Sequence, residues 1–261
     1  MKVFLFVLLS VLFQTSTPLF EIPGETDQIY TDNLGNLYLV KDFNLFKYNS
    51  TGNLLFNYSD NFLGEISSIA IGEGLKVMVY YGENAQLTVL DNTLSKISAT
   101  VNLNFNNLGT ATLATTSVQN SFWFFDPFQG ALVRTTNTMT VIFNSGNLNQ
   151  MLNYRINPNY MVEFSNNLYL NDPEIGILVF DIFGTYLKTI PIMGLKKFQV
   201  AEKGLYFYRD NHLFYYDFRD FKQAEIPLPV KGTRQALVAN KMLFIQTNNS
   251  VSGWDRKSIL K

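Results

Sequence analysis

The sequence predicts an all-β fold: a six-bladed β-propeller of four-stranded blades, closed by an N-terminal strand that completes the last blade. Three observations carry this. Short runs rich in Phe, Tyr, Leu and Val recur from residue 25 onward, separated by Gly, Asn and Asp turns. Apolar positions do not recur at three-to-four spacing over any long window, so no long helix is expected. The leading apolar residues of successive second strands, Leu37, Val77, Phe122, Leu168, Leu205 and Leu243, fall roughly forty residues apart, the period of a four-stranded blade.

The elements follow in order. The first unit reads QIYTD, NLYLV, LFKYN and LLFNYS, a meander beginning near Asp27. The fourth reads YMVEF, NLYLN, GILVFDI and TYLKTIP, and the fifth KFQVAE, GLYFYR, HLFYYD and QAEIPL. The last unit supplies three strands, RQALVAN, KMLFIQT and SVSGWDR. The apolar segment Pro18 to Gly24 precedes the first blade and has no partner there, so it is expected to complete the sixth. Such closure removes the exposed edge of an open array. The aromatic runs FWFF, YFY and FYYDF fall on second and third strands. Neighbouring blades cover such strands on both sides, so core packing accounts for them.

Asp126-Pro127 and Asp172-Pro173 occupy the same place in two blades, each followed by a glycine, Gly130 and Gly176, at the same spacing. Asp accepts backbone hydrogen bonds at the first position of a turn, Pro presets the next dihedral and Gly permits positive φ. These are expected to be hairpins between second and third strands, on the face that also carries the blade-to-blade connections.

Composition excludes several classes of chemistry. The chain has 261 residues, a net charge of −1, 47% hydrophobic and 16% charged residues. That balance leaves no electrostatic footprint for nucleic acid and argues against global disorder. There is no cysteine, and His212 is the single histidine, which removes disulfides, thiolate metal sites and most histidine-based catalysis. No phosphate-cradling glycine loop or nucleophile elbow is present. The N-terminus, MKVFLFVLLSVLFQTSTP, has the basic–apolar–polar layout of a secretory signal. Residues 1–17 are expected to be that signal and 18–261 a single propeller domain, with an uncleaved anchor as the rival reading. No transmembrane span is expected in the mature chain.

Carboxylates are scattered singly, mostly at turns. On the first strands of the blades Asp32, Glu163 and Glu202 could face the central channel, and three carboxylates can in principle hold calcium. On the hairpin face Asp126, Asp172, Glu174 and Asp210 are candidates for binding. The sequence identifies no catalytic set, cofactor or metal site among them.

The runs DNLGNLYLV, KVMVYYGENAQLTVLDN and LNDPEIGILVFDIFGTYLKTIPI resemble a group of exported β-propeller proteins of Bacteroidota. DNLGNLYLV followed by LFKYNSTGNLL is similar to the repeat of NHL-type propellers. The resemblance implies a propeller in the periplasm or at the outer membrane and transfers no catalytic residue; FQTST, near the end of the signal, lacks a lipid-anchor cysteine. The expected function is a non-enzymatic scaffold with a protein partner in an envelope complex. The alternative is a ligand- or metal-binding enzyme, lactonase- or hydrolase-like, using the central channel.

Overall fold

A computed structural model describes residues 17–259. The segment expected to be a signal lies, but for Thr17, outside the described residues. β1 (Phe20–Pro23) comes first in the chain. Blade 1 comprises β2 (Gln28–Thr31), β3 (Leu37–Lys41), β4 (Asn44–Tyr48) and β5 (Leu54–Ser59). Blade 2 comprises β6 (Ser68–Ile71), β7 (Val77–Tyr81), β8 (Gln86–Leu90) and β9 (Val101–Asn102). Blade 3 runs β10 (Leu113–Ser117), β11 (Ser121–Asp126), β12 (Ala131–Thr135) and β13 (Val141–Asn144). Blade 4 runs β14 (Tyr160–Phe164), β15 (Asn167–Asp172), β16 (Gly176–Asp181) and β17 (Tyr186–Ile190). Blade 5 runs β18 (Phe198–Ala201), β19 (Gly204–Arg209), β20 (His212–Asp217) and β21 (Gln223–Ile226). Blade 6 has β22 (Gln235–Ala239), β23 (Met242–Gln246) and β24 (Ser250–Asp255).

All six sheets are four-stranded, and the sixth has the order β1-β24-β23-β22. The N-terminal strand therefore closes the ring, with Phe20 opposite Gly253 and Pro23 opposite Ser250. Phe20 and Ile22 pack against the cluster formed by Ile29, Leu37, Leu237 and Phe244. Leu19 is 61% exposed: it precedes the strand and its contribution is a backbone bond to Gly253.

Each of the six apolar clusters spans two adjacent blades. Tyr38, Val40 and Leu45 of blade 1 meet Ile69, Val77 and Val79 of blade 2; Leu213 and Ile226 of blade 5 meet Leu243, Ile245 and Trp254 of blade 6. This is why the second and third strands are apolar on both faces: β3 buries its first four residues, and β7, β11, β12 and β23 are buried throughout. Burying each large side chain contributes roughly 1.5–3 kcal/mol. Register shifts occur between the third and fourth strands of blades 1, 3 and 4, at Lys47/Tyr48, Arg134/Thr135 and Val179/Phe180. Such bulges strengthen the local twist of the outer edge.

Among the described residues two short α-helices and three 3-10 turns interrupt the β pattern. α1 (Leu148–Leu152) is capped by the side chain of Asn147 and ends on Asn153 in the left-handed region. α2 (Arg256–Ile259) follows the last strand. A helix of one turn is too short to show periodicity. Among the described residues no helix is long and apolar enough to cross a membrane.

Candidate functional site

The faces of the ring are defined by the connections. Hairpins between first and second strands, and turns between third and fourth, lie on the lower face. The second-to-third-strand hairpins and the blade-to-blade connections share the upper face.

Asp32, Glu163 and Glu202 all lie at the lower end, and the structure does not bring them together. Asp32 is buried and accepts hydrogen bonds from Leu34 N, Asn36 N and Nδ2, and the Tyr38 hydroxyl. It builds its own turn. Glu163 is held by three donors: Val118 N at 2.9 Å, the Ser117 hydroxyl at 2.5 Å and Trp123 Nε1 at 2.7 Å. All three donors belong to blade 3, so Glu163 clasps blade 4 to its neighbour. Arg134 joins this clasp through Nε to Ser117 Oγ and reaches Ile182 O of blade 4. Lys47 plays the equivalent part between blades 1 and 2, where its ammonium bonds Asn92 O at 2.9 Å over the Tyr38 ring. These two buried cations were not singled out from the sequence. A cation inside a third strand is visible there, but its partner on the next blade is not. Glu202 is exposed and lines a lower-face groove between blades 4 and 5 with Lys188 and Phe218. Among the described residues no three acidic or histidine side chains are grouped to hold a metal.

On the upper face Asp126 and Asp172 act as turn residues. Asp126 Oδ1 accepts Phe128 N and Gln129 N, while Oδ2 accepts Gln129 Nε2 and the Thr110 hydroxyl. Asp172 Oδ1 accepts Glu174 N, and Oδ2 accepts Asn157 N of the connection from blade 3. Gly176 has φ +114°, and a Cβ there would lie 2.4 Å from Ile190 O. Glu174 is exposed and accepts the Tyr154 hydroxyl at 2.6 Å. Asp210 is exposed, 3.6 Å from Arg209.

Two features remain unclaimed by the scaffold, both on the upper face. The first is an arc of exposed aromatic side chains on loop tips. Phe62 is 99% exposed, Phe105 86% and Phe128 84%. Their loops are tied in sequence around the rim: Asn84 Nδ2 to Leu63 O, Leu103 N to Ala85 O, and Thr110 to Asp126. Leu148 N to Gly130 O continues the arc to exposed Met151.

The second is the mouth of the central channel. A cavity of about 620 Å³ opens between blades 5, 6 and 1. It meets the channel, about 240 Å³ and lined by first strands of all six blades, at Gln28, Lys197, Phe198, Gln199, Gln235 and Leu237. Lys197, just before β18, crosses the mouth to blade 1. Its ammonium donates to Gln28 Oε1 at 2.5 Å and the Tyr30 hydroxyl at 3.1 Å, and lies 4.4 Å from the Tyr30 ring centre. Burial holds Lys197 below the usual lysine range, at about 8, because a charged amine loses hydration there. Burial likewise pushes the phenols of Tyr30 and Tyr160 up. His212 lines neither cavity and sits 3.7 Å from Glu225 on the outer side of blade 5. Only the ring geometry carries Lys197 over to blade 1.

No family model and no curated protein matches the chain. Solved structures do. A WD40 domain of Pan2 from Neurospora crassa superposes with a TM-score of 0.64 at 7% identity, covering 92% of this chain and 95% of that one. Virginiamycin B lyase from Staphylococcus aureus gives 0.57 at 12% identity, covering 90% and 87%. A chain of the mitotic checkpoint complex gives 0.57 at 10%, covering 98% of each. The chain is thus a six-bladed β-propeller similar in fold to WD40 domains and to a lyase.

Proposed function

We propose that this propeller is a non-enzymatic interaction scaffold of the bacterial cell envelope, exported by its N-terminal segment, with a protein partner docking on the upper-face aromatic arc. The observation that carries the reading is the exposure of Phe62, Phe105 and Phe128 on adjoining loops of one face. Exposed apolar groups on linked loops of one rim favour a protein interface, and aromatic anchors dominate such interfaces. The buried carboxylates Asp32, Asp126 and Asp172 and the half-buried Glu163 support it too, since all four are engaged in holding turns and blades. NHL-like repeats and a Bacteroidota source belong to the same proposal, resting on the sequence resemblance.

The likeness to a lyase supports the second reading, an enzyme working at the channel. For that lyase, a histidine-to-alanine variant with quinupristin is catalytically inactive. Here the one histidine lies outside both cavities, which favours the scaffold. The test is crosslinking and affinity purification from the native envelope. The variant Phe62→Asp/Phe105→Asp/Phe128→Asp is compared with the lower-face control Phe183→Asp/Phe221→Asp. The upper-face variant should lose a partner that the control retains, and cell fractionation should place both outside the cytoplasm. Equal retention by both variants, or a cytoplasmic chain, would refute the proposal.

A further inference from the structure

The cavity at the channel mouth has a charge balance unlike that of the whole chain. Lys196, Lys197, Arg209 and Arg234 line it, against Asp27 and Asp210, although the protein's net charge is −1. The two carboxylates are already engaged: Asp27 accepts the Asp42 amide at 2.7 Å, and Asp210 lies beside Arg209. The side chains of Lys196 and Arg234 make no hydrogen bond or ion pair with a described residue.

Lys197 is the informative group. An ammonium has three N–H donors, and two of them are used, by Gln28 and Tyr30. No carboxylate of a described residue lies within ion-pair distance of it. A partly buried cation without a counter-charge is costly to keep, and an anion entering the cavity would supply both the missing acceptor and the missing charge. The surrounding glutamines are preorganised. Gln199 is locked at both ends to the backbone of Val238, and Gln28 donates to Ser67 O. Gln246 is buried and donates to Thr26.

We infer that this cavity binds a small organic monocarboxylate with a polar body, its carboxylate taken by Lys197 and its approach guided by Lys196 and Arg234. Lys197 is the partly buried cation with a donor to spare, while Arg209 is bonded to Met193 O and lies beside Asp210, and Lys196 and Arg234 are exposed at the rim; one such charge among neutral amides matches a monoanion, whereas a phosphate dianion calls for a second cation at the same depth. The volume suits a ligand of sugar-acid or short-peptide size, since such sites run roughly 300–1,000 Å³. This goes beyond the scaffold reading and stands without it, because the cavity lies over blades 5, 6 and 1, apart from the aromatic arc.

Calorimetric titration of the purified chain with D-glucuronate, N-acetyl-alanyl-alanine, glucose and inorganic phosphate tests it. At least one of the two carboxylates should bind, and which one names the source of the carboxylate; glucose should not bind, and phosphate should bind more weakly than the carboxylate. Lys197→Met should weaken binding by about tenfold or more, the size of a lost charge-assisted hydrogen bond. Lys196→Met and Arg234→Met should weaken it less and flatten its salt dependence. If Lys197→Met fails to fold, the wild-type pH profile still decides. Binding should be lost as the solution is raised through about 8, where Lys197 loses its proton. The other titratable groups facing it, Tyr30 from β2 and Tyr160 from β14, stay neutral there, since burial raises both. The other ionisable groups at the rim are Asp27, Lys196, Arg209, Asp210 and Arg234. Failure of both carboxylates to bind, tighter binding of phosphate, binding untouched by Lys197→Met, or binding independent of pH between 7 and 9.5 would each overturn the inference.

Discussion

Replacing Phe20 with alanine tests ring closure without cutting the chain. The Phe20 ring lies 6.3 Å from that of Phe244 and covers Gly253 and Gly52. A Cβ at Gly253 would come within 2.2 Å of the ring and one at Gly52 within 2.4 Å. Both glycines therefore leave room for this one side chain, and the backbone of β1 is unchanged by the substitution. A fully buried Phe→Ala costs about 3–5 kcal/mol. Phe20 is half-buried, so about 2 kcal/mol is expected. Leu19→Ala is the control, because an exposed side chain should change stability by no more than about 0.5 kcal/mol. Urea melts of the two variants and wild type should show a lower midpoint for Phe20→Ala at unchanged slope. A Phe20→Ala midpoint equal to that of Leu19→Ala would refute the view that β1 locks the ring through this ring contact. A chain beginning at Glu25 should then show a second effect. The four-residue ladder to β24 is lost, offset in part by the backbone freedom regained, about 1–2 kcal/mol per residue. The uncovered edge of β24 should make that chain associate in sedimentation experiments.

Gly176→Val should be among the most damaging hairpin changes, since positive φ and the Ile190 carbonyl both oppose a branched side chain; denaturant melts measure it. Asp172→Asn should also be costly, about 1–3 kcal/mol, because Glu174 N and Asn157 N reach different carboxylate oxygens and the amide would set its NH2 against one of them; a neutral effect in the same melts would contradict the two-acceptor geometry. Glu163→Gln sets an amide N–H against the donors of Ser117, Trp123 or Val118 and should lower the melting temperature while shifting Trp fluorescence, whereas chelator should leave the wild type unchanged. Lys197 binds its proton less tightly folded than unfolded, so above about 8 the unfolded chain holds more protons and wild-type stability should rise toward pH 9.5 relative to Lys197→Met; thermal melts of both at pH 7.5 and 9.5 check the sign.

The propeller was legible in the sequence because its determinants are local and repeated. Leu37, Val77, Phe122, Leu168, Leu205 and Leu243 mark second strands and are all buried, and the Asp-Pro hairpins follow from turn chemistry within a few residues. Closure was legible because blade 6 has three strands at one chain end and an unpartnered apolar segment stands at the other. The polar sites were not. Glu163 sits on β14 as expected, whereas Asp32 lies one residue past β2, in the turn it builds; whether such a carboxylate faces the channel, its own turn or the next blade depends on register and ring closure. The same holds for Lys197, whose partners Gln28 and Tyr30 lie at the opposite end of the chain.

The two faces of the ring differ in what their polar groups do. At the lower end Glu163, Arg134 and Lys47 spend their hydrogen bonds on joining neighbouring blades. Their burial is compensated within the protein, so a ligand would have to displace bonds that hold the ring together. On the upper face the cost is left open in two places: apolar rings stand in water at Phe62, Phe105 and Phe128, and a cation stands without a counter-charge at Lys197. Apolar exposure is relieved by covering area and an unpaired cation by an anion, so two different occupants are called for. The rigid framework beneath them, closed by Phe20, fixes both surfaces at one geometry. A scaffold that docks a protein on one half of a face and reads a small carboxylate on the other is the arrangement these residues favour. Loss of partner retention in the Phe62/Phe105/Phe128 variant with carboxylate binding intact, and the converse for Lys197→Met, would separate the two; loss of both functions in either variant would show that they form one site.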